Sequence, residues 1–200
     1  MLRTILSLAA CALLGLLLAQ DWLPVGAGYL GAILMVATAQ RMRAYWKRDR
    51  FAPEAVERTT LLSLGATLTC LAFLAARLYH LGPELDVHGR AARAMAGDLW
   101  TLVAASLVVQ WIARAPDATR DERDREIATR ALSFACYALF AMQALLIAWI
   151  GLAADQWRPV PSLALLAHLF ICSWMAAHVL YGIHCMHAYA GMRALARQAS

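Results

Sequence analysis

The sequence is short of charge. Of its 200 residues only 16% are Asp, Glu, Lys or Arg, whereas about 25% are charged in an average soluble domain. These charges stand in short blocks between apolar runs, and 62% of the chain is hydrophobic. The pattern is typical of a protein that crosses a membrane several times. Nucleic acid is not an expected partner, because the arginines gather at the ends of apolar runs rather than along one soluble face.

Motifs of soluble enzymes are also missing. The chain has no glycine-rich phosphate loop, no HExxH and no GxSxG. Its five cysteines lie inside apolar runs and form no CxxC, so we expect free thiols. The apolar runs contain no deep carboxylate, which ion-coupled transporters commonly place near the membrane midplane. No catalytic residues are identified, so we expect a non-enzymatic protein. Enzymatic activity is the open alternative.

Six apolar runs predict an all-α integral membrane protein, a single bundle of six transmembrane helices. The predicted helices span residues 5–19, 25–40, 60–81, 99–113, 131–152 and 161–190. Residues 41–58 form a basic loop, and the charged residues 114–130 extend helix five, with pairs such as Glu126–Arg130 at i, i+4. The odd-numbered helices begin with similar residues, which would be explained if the chain consisted of three repeated helical hairpins. The composition common to membrane proteins explains the similarity equally well.

Basic residues indicate the orientation of the bundle. Most Lys and Arg residues precede odd-numbered helices or follow even-numbered ones, whereas the opposite segments hold only Arg90, Arg93 and Arg158, with Arg77 nearby. Because cytoplasmic loops are the Lys- and Arg-rich ones, both termini are predicted to be cytoplasmic. The expected location is the cytoplasmic (inner) membrane.

Small residues predict where helices approach one another closely. Helix two has Gly28 and Ala32, as well as Ala27 and Gly31, at the four-residue spacing that favours packing in lipid. Helix three has a similar small-residue face that includes Gly65 and Thr69. We expect both faces to be buried in the bundle.

The last predicted helix carries four of the six histidines. Trp174, His178, Tyr181 and Cys185 stand at i, i+4, i+7 and i+11, so they share one helix face, which we call the His178 stripe. A titratable group within a membrane helix is costly and is a candidate functional residue. We expect the stripe to turn inward as a ligand- or partner-binding surface.

Two further polar residues are candidates for the same surface. Gln143, near the middle of helix five, requires a hydrogen-bonding partner, and His178 is an expected one. Arg77, near the end of helix three, is expected to reach the membrane surface or pair with a carboxylate; ligand binding is the alternative.

The histidines also raise the question of a cofactor. His168, His178, His184 and His187 are candidate haem or metal ligands, with Cys185 as a possible soft ligand. Two-histidine haem ligation needs imidazoles at matching depth on different helices, and the depths of His168 and His80 match poorly. No cofactor is expected, and a haem or metal site is the alternative.

The residues favour a subunit or accessory protein of a membrane assembly. The expected partners are the lipid bilayer and either other membrane protein chains or further copies of this chain. A small-solute or ion pathway lined by helices three, five and six is the second hypothesis. A membrane redox protein that uses the helix-six histidines is the third.

Overall fold

A computed structural model describes residues 2–20, 26–48, 54–82, 86, 89–114, 121–152 and 162–198, with side chains described from 4 to 192. Within these ranges the chain is all-helical, as predicted, and contains no strand. Its helices are α1 (Leu2–Leu18), α2 (Ala27–Arg48), α3 (Ala55–Leu81), α4 (Arg90–Ala113), α5 (Glu122–Leu152) and α6 (Leu163–Gln198).

Four of these helices, α3 to α6, are long and apolar enough to cross a membrane. Helix α1 is apolar but has only 17 residues, which corresponds to roughly 25 Å against about 30 Å of hydrocarbon. In α2 the apolar part is followed by basic residues from Arg41 to Arg48. The described chain therefore has the helices of a membrane protein.

Several helices are longer than the apolar runs that predicted them. Helix α2 continues to Arg48, α3 begins at Ala55 and α4 begins at Arg90. Residues 41–58, predicted as a loop, therefore belong largely to two helix ends. Hydropathy marks where the hydrocarbon ends, whereas Arg, Lys and Ala continue a helix into water because their helix propensities are high.

Contacts between helices show their relative directions, and two of the packed pairs are parallel. Thr69 donates to the carbonyl of Cys11, and Gly15 lies against Phe73 one turn further along both helices. Helices α1 and α3 are therefore parallel. Gly28 contacts Asp98, and Gly31, one turn further along α2, contacts Leu102, one turn further along α4. Helices α2 and α4 are therefore parallel too.

The remaining pairs are antiparallel. Thr59, near the start of α3, bonds to Ala113 at the end of α4. Asp124, near the start of α5, bonds to Tyr189 near the end of α6. One end of the bundle thus gathers the starts of α1, α3 and α5 and the ends of α2, α4 and α6; we call it the basic end.

The predicted small-residue faces are buried, which confirms their packing role. A Cβ on Gly31 would lie 2.5 Å from Leu102 and 2.6 Å from Leu18. Gly65 lies against Cys11, and Thr69 is almost fully buried between α1 and α3. Because of this close approach, helices α1 to α4 share a compact core around Phe73. Helices α5 and α6 form a pair that packs against this core through contacts of α6 with α3.

Candidate functional site

An open groove of about 900 Å³ lies between α3 and α5 at the basic end, with α6 as its floor and the end of α4 at its mouth. It is lined by Ala55, Val56, Thr59, Thr60, Ser63, Leu64, Gln110, Arg114, Ala128, Thr129, Leu132, Ala135, Cys136, Leu139, Trp174, Ala177, His178, Tyr181 and Gly182. The groove exists because α5 packs extensively only on α6 and leaves α3 uncovered.

The floor of the groove contains most of the predicted stripe. Trp174, His178 and Tyr181 line it together, one turn apart along α6. Trp174 is 70% exposed, and His178 is exposed as well. The prediction that the stripe turns inward is therefore wrong for Trp174, and this part of the groove is open at its side. Cys185, the fourth member of the stripe, is buried instead, in a small cluster with Ile127 of α5.

His178 is held by α3. Its Nε2 lies 3.3 Å from the hydroxyl oxygen of Ser63, and its ring stacks on Tyr181 with the centroids 6.0 Å apart. The prediction that His178 forms a hydrogen bond with Gln143 is wrong. In the α5–α6 hairpin Gln143 lies opposite Ser173, more than one turn from His178, and its amide donates to the Ser173 hydroxyl.

Gln143 is therefore an anchor between α5 and α6 and lies outside the groove lining. Ser173 accepts from the Gln143 amide and donates its own hydrogen to the Phe170 carbonyl, 2.7 Å away. The Gln143 carbonyl oxygen is buried and has no hydrogen bond with a described residue. Within the described chain, helix α6 thus satisfies the N–H group of the Gln143 side chain but not its carbonyl oxygen.

Helices α3 and α4 make a polar wall. Thr59 donates to the carbonyl of Ala55 and lies 3.3 Å from that of Ala113, and Thr60 donates to its own helix. Since these hydroxyl hydrogens are directed at backbone carbonyls, the side chains offer acceptor lone pairs. Gln110 and Arg114 continue this wall to the mouth.

Helix α5 makes a largely apolar wall opposite. Leu132, Ala135, Cys136 and Leu139 line it, and Thr129 adds one hydroxyl near the mouth. The Thr129 hydroxyl donates to the carbonyl of its own helix at Arg125. The groove is therefore two-faced, with hydrogen-bonding groups on one side and hydrocarbon on the other.

Two polar contacts hold α5 at the basic end. The Tyr189 hydroxyl donates to Asp124 at 2.9 Å, and both side chains are buried. Arg123 forms a 3.1 Å ion pair with Glu54, the residue that precedes α3. That ion pair joins α5 to α3 at the end where the groove begins.

Arg77 lies far from the groove, near the opposite end of α3. It is half-buried, and its guanidinium carbon lies 5.9 Å from the centre of the Phe73 ring. This is the geometry of a cation–π contact. Arg77 and the His178 stripe therefore belong to different parts of the molecule.

The other predicted histidines are dispersed. The Nδ1 of His168 lies 2.7 Å from the carbonyl of Ala164, and His184 stacks on Phe134 of α5 with the centroids 5.4 Å apart. His187 is exposed near the basic end. Across the part of the chain that the structure describes, no group of three or more His, Cys, Asp and Glu side chains is placed to hold a metal ion. The haem hypothesis stays a prediction, with His178 as the imidazole in the groove.

Sequence reasoning missed three residues of this region: Ser63, Arg114 and Asp124. A signal existed for Ser63, because it stands one turn from Thr59 and Thr60 in an otherwise apolar helix. Arg114 and Asp124 lie within a charged block, where nothing in the spacing distinguishes them from solvated neighbours.

The chain matches no protein-family model, no curated protein and no solved structure.

Proposed function

We propose that this is a polytopic membrane protein that binds a small amphipathic solute in the groove between α3, α5 and α6. The observation that carries the proposal is that three residues of the predicted His178 stripe, a polar wall and an apolar wall surround one space. Its volume of about 900 Å³ lies in the range of small-molecule pockets, roughly 300 to 1,000 Å³.

The groove favours binding from one side of the membrane rather than a continuous pore. Its wall on α5 runs from Ala128 to Leu139, about 16 Å at 1.5 Å per residue, or half of the roughly 30 Å of hydrocarbon. The sequence-based hypothesis of a solute pathway also involved helices three, five and six. Entry from the basic end or from the bilayer is the route that this shape supports.

We further propose that all six helices cross the membrane, with both termini in the cytoplasm. The alternating helix directions and the basic residues at one end of the bundle support this topology. Helix α1 is short for a full crossing, and α2 is long enough but has a short apolar part; the parallel packing of α1 on α3 and of α2 on α4 supports their crossing.

Membership of a larger membrane assembly is the second candidate. The surface that it would use is the half of α5 away from the basic end, where none of the residues from Cys136 to Leu152 is buried and large side chains such as Tyr137, Phe140 and Leu145 are exposed. Purification in mild detergent followed by identification of co-purifying chains tests it. A single chain at the mass of one copy would refute this candidate.

The groove proposal is tested by native mass spectrometry of protein released from its own membrane. Leu132→Trp fills the groove, and Leu145→Trp makes the same change on an exposed part of α5 outside it. We expect a bound small molecule on the wild type and on Leu145→Trp, and its loss on Leu132→Trp with an unchanged melting temperature. Equal loading of both variants, or none on the wild type, would overturn the proposal.

A further inference from the structure

The charge in the groove has one sign. Arg114 is the only charged side chain among the described lining residues, and none of them is a carboxylate. Arg114 is exposed at the end of α4 and forms no ion pair with a described residue. A guanidinium at the edge of a membrane pairs strongly with phosphate or carboxylate oxygens, to which it can donate two parallel hydrogen bonds.

Four of the polar side chains deeper in the groove already have partners. Ser63 and His178 are within hydrogen-bonding distance of each other, and the hydroxyls of Thr59 and Thr60 donate to backbone carbonyls. An occupant therefore needs no second charge to match these groups. Arg114, at the mouth, is the group that a ligand can neutralise.

The apolar wall continues from the mouth into the membrane. Leu132 and Leu139 on α5 and Trp174 on α6 lie along it, and Trp174 and Leu132 are mostly exposed. Leu132 to Leu139 extends over about 10 Å at 1.5 Å per residue, and the whole wall from Ala128 to Leu139 extends over about 16 Å, the depth of roughly one leaflet. A body of that length with its polar group at the mouth would bury apolar surface along the whole wall.

We propose that the ligand is an amphiphile with one anionic headgroup, a phosphate or a carboxylate, bound by Arg114, and an apolar chain that lies along α5 between Leu132 and Trp174. This inference rests on the proposed function, because it names the chemistry of the solute in the same groove. The anionic group comes either from a free amphiphile or from a lipid of the bilayer.

Protection of Cys136 from N-ethylmaleimide reports occupancy, since this exposed thiol lines the groove. The protein is placed in phosphatidylcholine nanodiscs with oleyl phosphate or with oleyl alcohol, which has the same chain without the charge. Modification of Cys136 is followed peptide by peptide. A Tyr137→Cys variant, exposed beside the groove, provides a thiol whose reaction rate should not change.

We expect oleyl phosphate to protect Cys136 at a concentration about tenfold lower than oleyl alcohol, as for loss of one charge-assisted contact. Arg114→Gln should abolish this preference. Arg125→Gln, an exposed arginine of α5 outside the groove, should preserve it. A second arm replaces the added amphiphile with phosphatidylglycerol in the nanodisc. Protection there that depends on Arg114 identifies a bilayer lipid as the source, and protection by oleyl phosphate alone identifies a free amphiphile.

Two results would contradict the inference in different ways. Equal protection by the phosphate and the alcohol, or a preference that survives Arg114→Gln, overturns the anionic headgroup and leaves the groove as a binding site. Protection by neither probe, with neither lipid, overturns both the headgroup and the proposed function.

Discussion

Gly28 shows how a single residue sets the approach of two helices. A Cβ at this position would lie 2.7 Å from the Asp98 Cα and 2.9 Å from its carboxyl oxygen. The Gly28 N–H donates to that same oxygen at 2.9 Å. Asp98 thus binds an N–H in the first turn of α2, where a negative charge is favoured by the helix dipole.

Gly28→Ala is therefore expected to lower the free energy of unfolding by roughly 1 to 3 kcal/mol, because backbone atoms must move apart. Gly97→Ala is the matched control. No described atom lies within 4 Å of the position of its added Cβ, so better helix propensity should leave stability unchanged or raise it by up to about 1 kcal/mol. Equal melting temperatures of the two variants in detergent would contradict the packing.

The hydrogen bond between Tyr189 and Asp124 is the second residue-scale feature with a measurable consequence. Both side chains are buried where α5 and α6 meet. Tyr189→Phe should cost about 1 to 3 kcal/mol, since it leaves a buried carboxyl without this partner. Tyr137→Phe, at a 75% exposed position of α5, should cost nothing measurable. Equal, negligible losses in a detergent unfolding titration would refute the anchor.

Residue spacing was enough to predict part of the site. The 100° step of a helix put Trp174, His178 and Tyr181 on one face, and all three line the groove. The same step could not exclude Cys185, which is buried because α5 crosses α6 at its level. Which polar group faces His178 depends on the packing of α3 and α6, so Ser63 was beyond the reach of periodicity.

At the scale of the element, α5 has one extensive interface among the described helices, which is with α6. It is bonded to α6 at Asp124 and at Gln143, and the residues between these anchors form one wall of the groove. The charged start of α5 was predicted to be self-paired. Glu126 and Arg130 do pair within the helix, whereas Arg123 pairs with Glu54 and Asp124 bonds to Tyr189. Tertiary contacts compete with the local i, i+4 pairs for the same charges.

The ion pair between Arg123 and Glu54 should contribute little to stability although it joins two helices. Both side chains are about half exposed, and exposed pairs contribute roughly 0 to 1 kcal/mol. We expect Glu54→Gln to shift the free energy of unfolding by less than about 1 kcal/mol, with a smaller shift at high salt. A salt-independent loss of several kcal/mol would mean that the pair is essential to the position of α5.

At the scale of the whole molecule, composition and hydropathy predicted an all-helical membrane protein, and the described chain is all-helical with four helices that can cross a membrane. What hydropathy could not supply is the placement of helices relative to one another. The groove arises because α6 packs extensively against both α3 and α5, whereas α3 and α5 share no extensive interface and are joined at the basic end by the Arg123–Glu54 ion pair. That arrangement depends on side-chain contacts such as Leu64 against Gly182, which no run of apolar residues encodes by itself.

The proposed topology makes a prediction for sided labelling. Single cysteines replacing Arg48 and Arg123 at the basic end should react with an impermeant maleimide only from the cytoplasm, because basic segments stay inside. A cysteine replacing Asp86, exposed between α3 and α4, should react only from the other side. Reaction of Arg123→Cys and Asp86→Cys from the same side would contradict the six-crossing arrangement.

The central claim is that the space between α3 and α5 is an occupied binding groove. An experimental structure of the protein in a nanodisc made from its native membrane lipids tests it most directly. We predict that α5 leaves the groove open along α3 and that non-protein density fills it, in contact with Trp174 and reaching Arg114. A structure in which α5 closes onto α3, or in which the groove is open and contains no bound molecule, would contradict it.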